Sequence, residues 1–168
     1  MATPALIVTP GAVDANSYAS LVEATAYFDT QLYRSNWEGA TDDERNRALL
    51  SATRILDEQM NWKGLKYTEE QALRWPRSSV VGPDGYDVSY LTIPQFLINA
   101  TAELSEHLIE SNRTAEPDTL GYSRMKVGEL ELVIDKYDRA PTLPDSVWQM
   151  IRPYGSKVSG QQVKVYRT

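Results

Sequence analysis

Few side chains in this sequence stand in patterns that could do chemistry. Asp42-Asp43-Glu44 is the densest run of acids, and three adjacent carboxylates could attract a hard cation. They directly follow Thr41, however, and a first helical turn favours negative charge, so helix capping accounts for them. Asp84 and Asp87 lie in a Pro83-Asp84-Gly85 turn but lack the remaining ligands of a calcium loop. His107 is the only histidine and cysteine is absent, which removes the usual zinc sites, thiol catalysis and a two-histidine relay. A lone imidazole at the edge of an apolar helix stripe reads as a partly buried surface residue. No Gly-rich phosphate loop, Gly-x-Ser-x-Gly elbow or His-Glu-x-x-His segment occurs. Paired-carboxylate hydrolysis stays open because spatial pairing leaves no trace in sequence. The expectation is a protein without catalytic residues, metal or cofactor. Ten tyrosines and four tryptophans remain, able to stack on unpaired bases or to fill cores and interfaces.

The stretch around which the chain is organised is Gln71-Ala72-Leu73-Arg74-Trp75-Pro76-Arg77. Pro76 fixes its own φ and pushes Trp75 out of the α region, so a helix arriving through Leu73 has to stop and turn. Trp75 is large and apolar, so it should anchor that turn, with Arg74 and Arg77 aimed at carboxylates or at a partner.

Length and charge narrow the class further. A chain of 168 residues is one domain long and can bury about 70% of its unfolded surface. Ala5-Leu6-Ile7-Val8 is too short an apolar run for a signal peptide or a membrane span. Net charge is −6, yet no acid follows Asp145 and Arg152, Lys157, Lys164 and Arg167 do, which leaves −10 on residues 1–145. An acidic body with a basic tail disfavours a protein whose main work is gripping phosphates, and it suggests that body and tail meet different surfaces.

Hydrophobic spacing then gives the elements that must position these residues. Residues 1–19 form an extended arm, and Ser20 with Glu23 makes a capping box for a helix reaching about Tyr33. Residues 34–40 are a loop. Thr41 with Glu44 caps a longer helix through Met60, ended by residues 61–64. Thr68 and Gln71 repeat the cap pattern for a short helix, and residues 80–88 form a hairpin around Pro83-Asp84-Gly85. Thr92, Pro94 and Gln95 open a third long helix ending near Asn112. Alternation over residues 122–135 predicts two strands or one bulged strand. A last short helix begins at Asp145 or Ser146 and ends at Gly155, and a basic flexible arm follows over residues 156–168. The fold class expected is mainly α: a compact helical bundle over residues 1–155 with a small β-hairpin insertion and flexible arms at both ends.

Asn16-Ser17-Tyr18, the Ala48–Leu56 helix, Leu73-Arg74-Trp75-Pro76-Arg77, Ile93-Pro94, Lys126-Val127-Gly128 and the Leu143-Pro144 to Tyr154 closing helix together resemble head-to-tail adaptor (connector) proteins of tailed bacteriophages. The resemblance spans residues 16–155, and related sequences are also labelled DnaT-like single-stranded-DNA-binding proteins. It implies a virion protein at the head-tail junction, made in the host cytoplasm, that forms a ring, twelve-fold as a rule, under the portal protein. Such a ring extends the DNA channel without sequence-specific contact and docks the next tail component, whether tail tube, nozzle or stopper. It implies also that the C-terminal arm binds the portal through Lys157, Val163, Lys164, Val165, Tyr166 and Arg167, with Arg74, Trp75, Pro76 and Arg77 as an interface motif. The alternative is a DnaT-like single-stranded-DNA-binding replication accessory protein.

Overall fold

A computed structural model describes residues 3–115, 124–127, 130–133 and 141–158. Five helices follow one another among these residues: α1 (Leu21–Phe28), α2 (Ser35–Gly39), α3 (Asp42–Gln59), α4 (Gln95–Glu110) and α5 (Asp145–Ile151), the last running into a 3-10 turn at Arg152–Tyr154. The strands are short: β1 (Met60–Trp62), β2 (Leu65–Lys66), β3 (Arg77–Ser78), β4 (Arg124–Val127), β5 (Leu130–Val133) and β6 (Gly155–Lys157). They pair antiparallel as β1 with β6, β2 with β3, and β4 with β5. The described residues are thus mainly α, as composition and spacing lead one to expect.

Local chemistry sets the helix starts. Ser20 and Glu23 form a complete capping box, as do Thr41 and Glu44, each pair satisfying two main-chain N–H groups that a helix start leaves open. Asp42 and Asp43 of the first α3 turn bind Arg45 and Arg47 at 2.9 and 2.8 Å, which is helix-surface pairing rather than metal ligation. α4 packs on α3 and carries α1, α2 and α5 against it. Ala52, Ile55, Leu56, Leu97, Ala100, Leu104, Leu143, Val147 and Ile151 fill one core, which Trp62 and Trp75 complete. Phe28, Trp37, Leu49, Ile98 and Ala102 fill a second one beside it.

Several expectations are corrected. α1 stops at Phe28, not Tyr33, because the chain tightens through Thr30 N–H to Tyr27 O and Gln31 N–H to Phe28 O, leaving Leu32 and Tyr33 exposed. The loop expected at residues 34–40 contains α2, whose Trp37 is buried against Phe28. No helix forms after Thr68. The Gln71 side chain does accept from Thr68 N–H at 2.9 Å, but its amide donates to Leu73 O and Pro76 O, which fastens a turn. α4 ends at Glu110. The N-terminal arm is fastened rather than free: Asn16 binds Ile7 N–H and Ala5 O, and Ala72 N–H reaches Ala12 O. Residues 156–157 are not tail, since Ser156 and Lys157 pair with Asn61 and Met60, and Val158 N–H donates to Gln59 O at 2.8 Å.

The hairpin at residues 80–88 is present, with Val81 bridged to Asp87 and Val88 N–H on Val80 O. The alternation over residues 122–135 is realised as β4 and β5, paired from Arg124 with Val133 to Val127 with Leu130. Gly64, at φ +71°, turns the chain between β1 and β2; a Cβ there would lie 2.2 Å from Ser78 O, a distance no side chain tolerates. Among the described residues no helix is long and apolar enough to cross a membrane.

Candidate functional site

Trp75 is fully buried, as its size demands, and its ring meets Trp62 and Phe96 edge-on at 5.7 and 5.5 Å. Phe96 in turn stacks on Tyr154 at 3.6 Å. Trp75 Nε1 finds no acceptor among the described residues, so packing alone holds the indole. The main chain is held differently. Trp75 N–H donates to Tyr18 Oη at 3.2 Å, Tyr18 O–H donates to Asp57 Oδ1, and Asp57 Oδ2 accepts from Arg74 N–H at 3.1 Å. Burial and the Asp57 charge hold the Tyr18 pKa well above its usual value. Burial also pushes the Asp57 carboxyl up, against the hydrogen bonds from Tyr18 and Arg74 that pull it down. The peptide bond between Trp75 and Pro76 is cis.

Among the described residues neither arginine side chain makes an ion pair with a carboxylate, and both bind main-chain carbonyls. Arg74 Nη1 donates to Met60 O at 3.1 Å. Arg77 spreads over the main chain, with Nε on Lys63 O at 2.7 Å, Nη1 on Arg74 O at 3.1 Å and Nη2 on Gly64 O at 2.6 Å. Burial, and then the neighbouring Arg74 charge, lower the Arg77 pKa. Arg74, Trp75, Pro76 and Arg77 therefore fasten the end of α3, β1 and the β2 turn to one another. Sequence reading missed Asp57 because it lies 17 residues from its Arg74 partner in an ordinary helix. Its one signal was an acid on the core side of the α3 stripe.

What the corner presents to solvent is an aromatic surface on β2 and the loops after β3. Tyr67 and Tyr90 stack at 5.0 Å and 28° and each is nearly half exposed, and Leu65, Tyr86 and Leu91 are exposed on the same stretch of chain. Lys63 precedes β2 and Lys66 ends it, each with Nζ on a main-chain carbonyl at 2.8 Å, those of Pro153 and Gln71. Neither lysine forms an ion pair among the described residues. Asp84 lies near enough to Tyr154 to raise its pKa, second to burial. It serves a turn, with Gly85 N–H on Gly82 O at 3.0 Å.

Of the residues assigned to a portal arm, Lys157 lies in β6 with its Nζ 4.8 Å from the Trp148 ring centroid. Val163, Lys164, Val165, Tyr166 and Arg167 lie outside the described residues. His107 is partly buried, its Nε2 3.4 Å from Ser146 Oγ and its Nδ1 3.3 Å from Arg113. Among the described residues no group of three or more His, Asp or Glu side chains could hold a metal ion.

Residues 4–168 match a family model described as "Putative DnaT-like ssDNA binding protein". No curated protein and no solved structure matches the chain. None of these findings concerns a portal, a tail component or a ring, so the adaptor resemblance gains nothing from them, and the label that accompanied it is the one that holds. With all but the first three residues covered by the match, the chain belongs to the DnaT-like ssDNA-binding protein family.

Proposed function

We propose that the chain binds single-stranded DNA as a replication accessory protein. The observation that carries this reading is the family match over residues 4–168. The stacked pair of Tyr67 and Tyr90 supports it, because bases stack on exposed aromatic faces whatever their sequence and lysines beside them meet the backbone. In this reading α1, α3, α4 and α5 act as a helical bundle that holds the tyrosine surface rigid. The test is fluorescence anisotropy of a labelled oligothymidylate at about 50 mM salt, where phosphate attraction is least screened. Binding is expected, and Tyr67→Ala with Tyr90→Ala should weaken it by about 1–3 kcal/mol per lost stack. An oligonucleotide that stays free at this salt concentration overturns the reading.

A second reading, the head-to-tail adaptor ring, is favoured by one observation. The net charge of −10 on residues 1–145 repels phosphate and suits a DNA conduit better than a DNA grip. Its parts would be the portal protein above, the next tail component below and a virion location. Negative-stain images of the protein mixed with portal tell the two apart, since only the adaptor reading expects a ring on the portal.

A further inference from the structure

The loop between α1 and α2 leaves Leu32 and Tyr33 each 90% exposed, an unusual place for two large apolar side chains in sequence. They border a cavity of about 430 Å³ with Thr30, Gln31, Glu103 and Glu106. No basic side chain lines it. Arg34, the nearest cation in sequence, is held by Asp29 and by Glu38 at 3.0 Å. Glu103 accepts from Tyr27 O–H at 3.1 Å. Burial and then the Glu103 and Glu110 charges push the Glu106 pKa up, and the nearest imidazole, that of His107, lies 3.9 Å from Glu103 on the same helix. Apolar surface beside these carboxylates fits an extended segment that alternates apolar and cationic side chains.

The chain contains one such segment, Val163-Lys164-Val165-Tyr166-Arg167, within residues 156–168, which hold three cations and no acid. We propose that residues 163–167 of a second copy dock here, with Lys164 meeting Glu103 and Glu106, and Tyr166, on the same face of the extended segment, covering Leu32 and Tyr33, while Arg167 adds positive charge at the rim. The proposal rests on neither reading of function. Reach argues for a second copy. Val158 is tied to Gln59 at the end of α3. The cavity lies towards its start, where the Trp37 main chain serves both Glu106 and Arg45. From Arg45 to Gln59 an α-helix rises about 21 Å, and six residues from Val158 to Lys164 span about 20 Å fully stretched. The copy's own tail would have to be taut, whereas a neighbour's arrives unconstrained. Donor and acceptor surfaces differ, so the contact is heterologous and propagates into a ring or a filament.

Sedimentation of the full chain over a range of concentrations tests this, at about 50 and 500 mM salt to vary screening. Concentration-dependent association is expected, about tenfold weaker or more in high salt. Deleting residues 159–168, or replacing Leu32 and Tyr33 by Ser, should leave monomers. Both serine substitutions fall on exposed side chains, so the thermal melt should match wild type and show that the loss is not unfolding. A chain carrying Glu103→Lys and Glu106→Lys should associate only when mixed with one carrying Lys164→Glu and Arg167→Glu. A truncated protein that associates like the full one overturns the proposal, as does a full chain that stays monomeric at every concentration. Cross-links from tail to cavity found only within single chains overturn the second-copy occupant.

Discussion

A hydrogen bond joins Trp75 N–H to Tyr18 Oη, yet the two residues stabilise the fold by different means, and they respond to different perturbations. Trp75 contributes buried area and ring contacts, so Trp75→Ala should cost about 3–5 kcal/mol through lost transfer energy and a cavity. That is a large part of an ordinary domain's stability, and the urea midpoint should fall accordingly. Tyr18 contributes a relay, and its behaviour is set by pH. Its folded-state pKa is raised by burial and the Asp57 charge. Stability from Tyr18 is therefore fully present below the unfolded tyrosine value of about 10 and is lost as pH rises beyond it. Tyr27 shifts the same way through burial and Glu103. The melting temperature should fall steeply above pH of about 10, and Tyr18→Phe should flatten that fall while lowering stability at neutral pH. An equal slope in the two proteins would mean that the hydroxyl is not held by Asp57.

At the scale of elements, local signals were legible and distant ones were not. Ser20 with Glu23 and Thr41 with Glu44 announced α1 and α3 because a capping box is complete within four residues of sequence. Thr41→Ala should accordingly cost about 1 kcal/mol, read from thermal unfolding, while Ser51→Ala inside α3 should cost far less. Thr68 and Gln71 carried the same letters and misled, because the box became a turn once Gln71 found Leu73 O and Pro76 O. The buried Trp75 was legible from size and its proline. The roles of Arg74 and Arg77 were not, since their acceptors are main-chain carbonyls, of residues 60–64 and of Arg74 itself, that carry no side-chain signature. The pairing of β1 with β6 joins Met60 to Lys157, far beyond any periodicity window, so residues 156–157 read as the start of a tail. The tyrosine surface lay in plain letters as Tyr67, Tyr86 and Tyr90, but nothing in their spacing said that the first and last would stack.

For the whole molecule, charge sets the terms on which DNA is met. A net charge of −6 with two cations, Lys164 and Arg167, beyond Val158 implies an affinity that falls with salt and leans on the tail. Ending the chain at Val158 removes Lys164 and Arg167. The log-log salt dependence of oligonucleotide binding should then become shallower by about 1.4, two phosphate contacts on a single strand. An unchanged slope would assign the phosphate contacts to Lys63 and Lys66 instead. The clasp between β1 and β6 has a consequence of another kind. Cleaving the backbone between Ala115 and Pro141 would yield one fragment with α1 to α4 and β1, and another with α5 and β6. Each fragment would carry half of a shared core and half of a shared sheet, with Val147 and Ile151 on one side and Leu97 and Leu104 on the other. Two such pieces are natural halves for fragment complementation: fused to separate baits, they would rebuild the domain only when the baits come together.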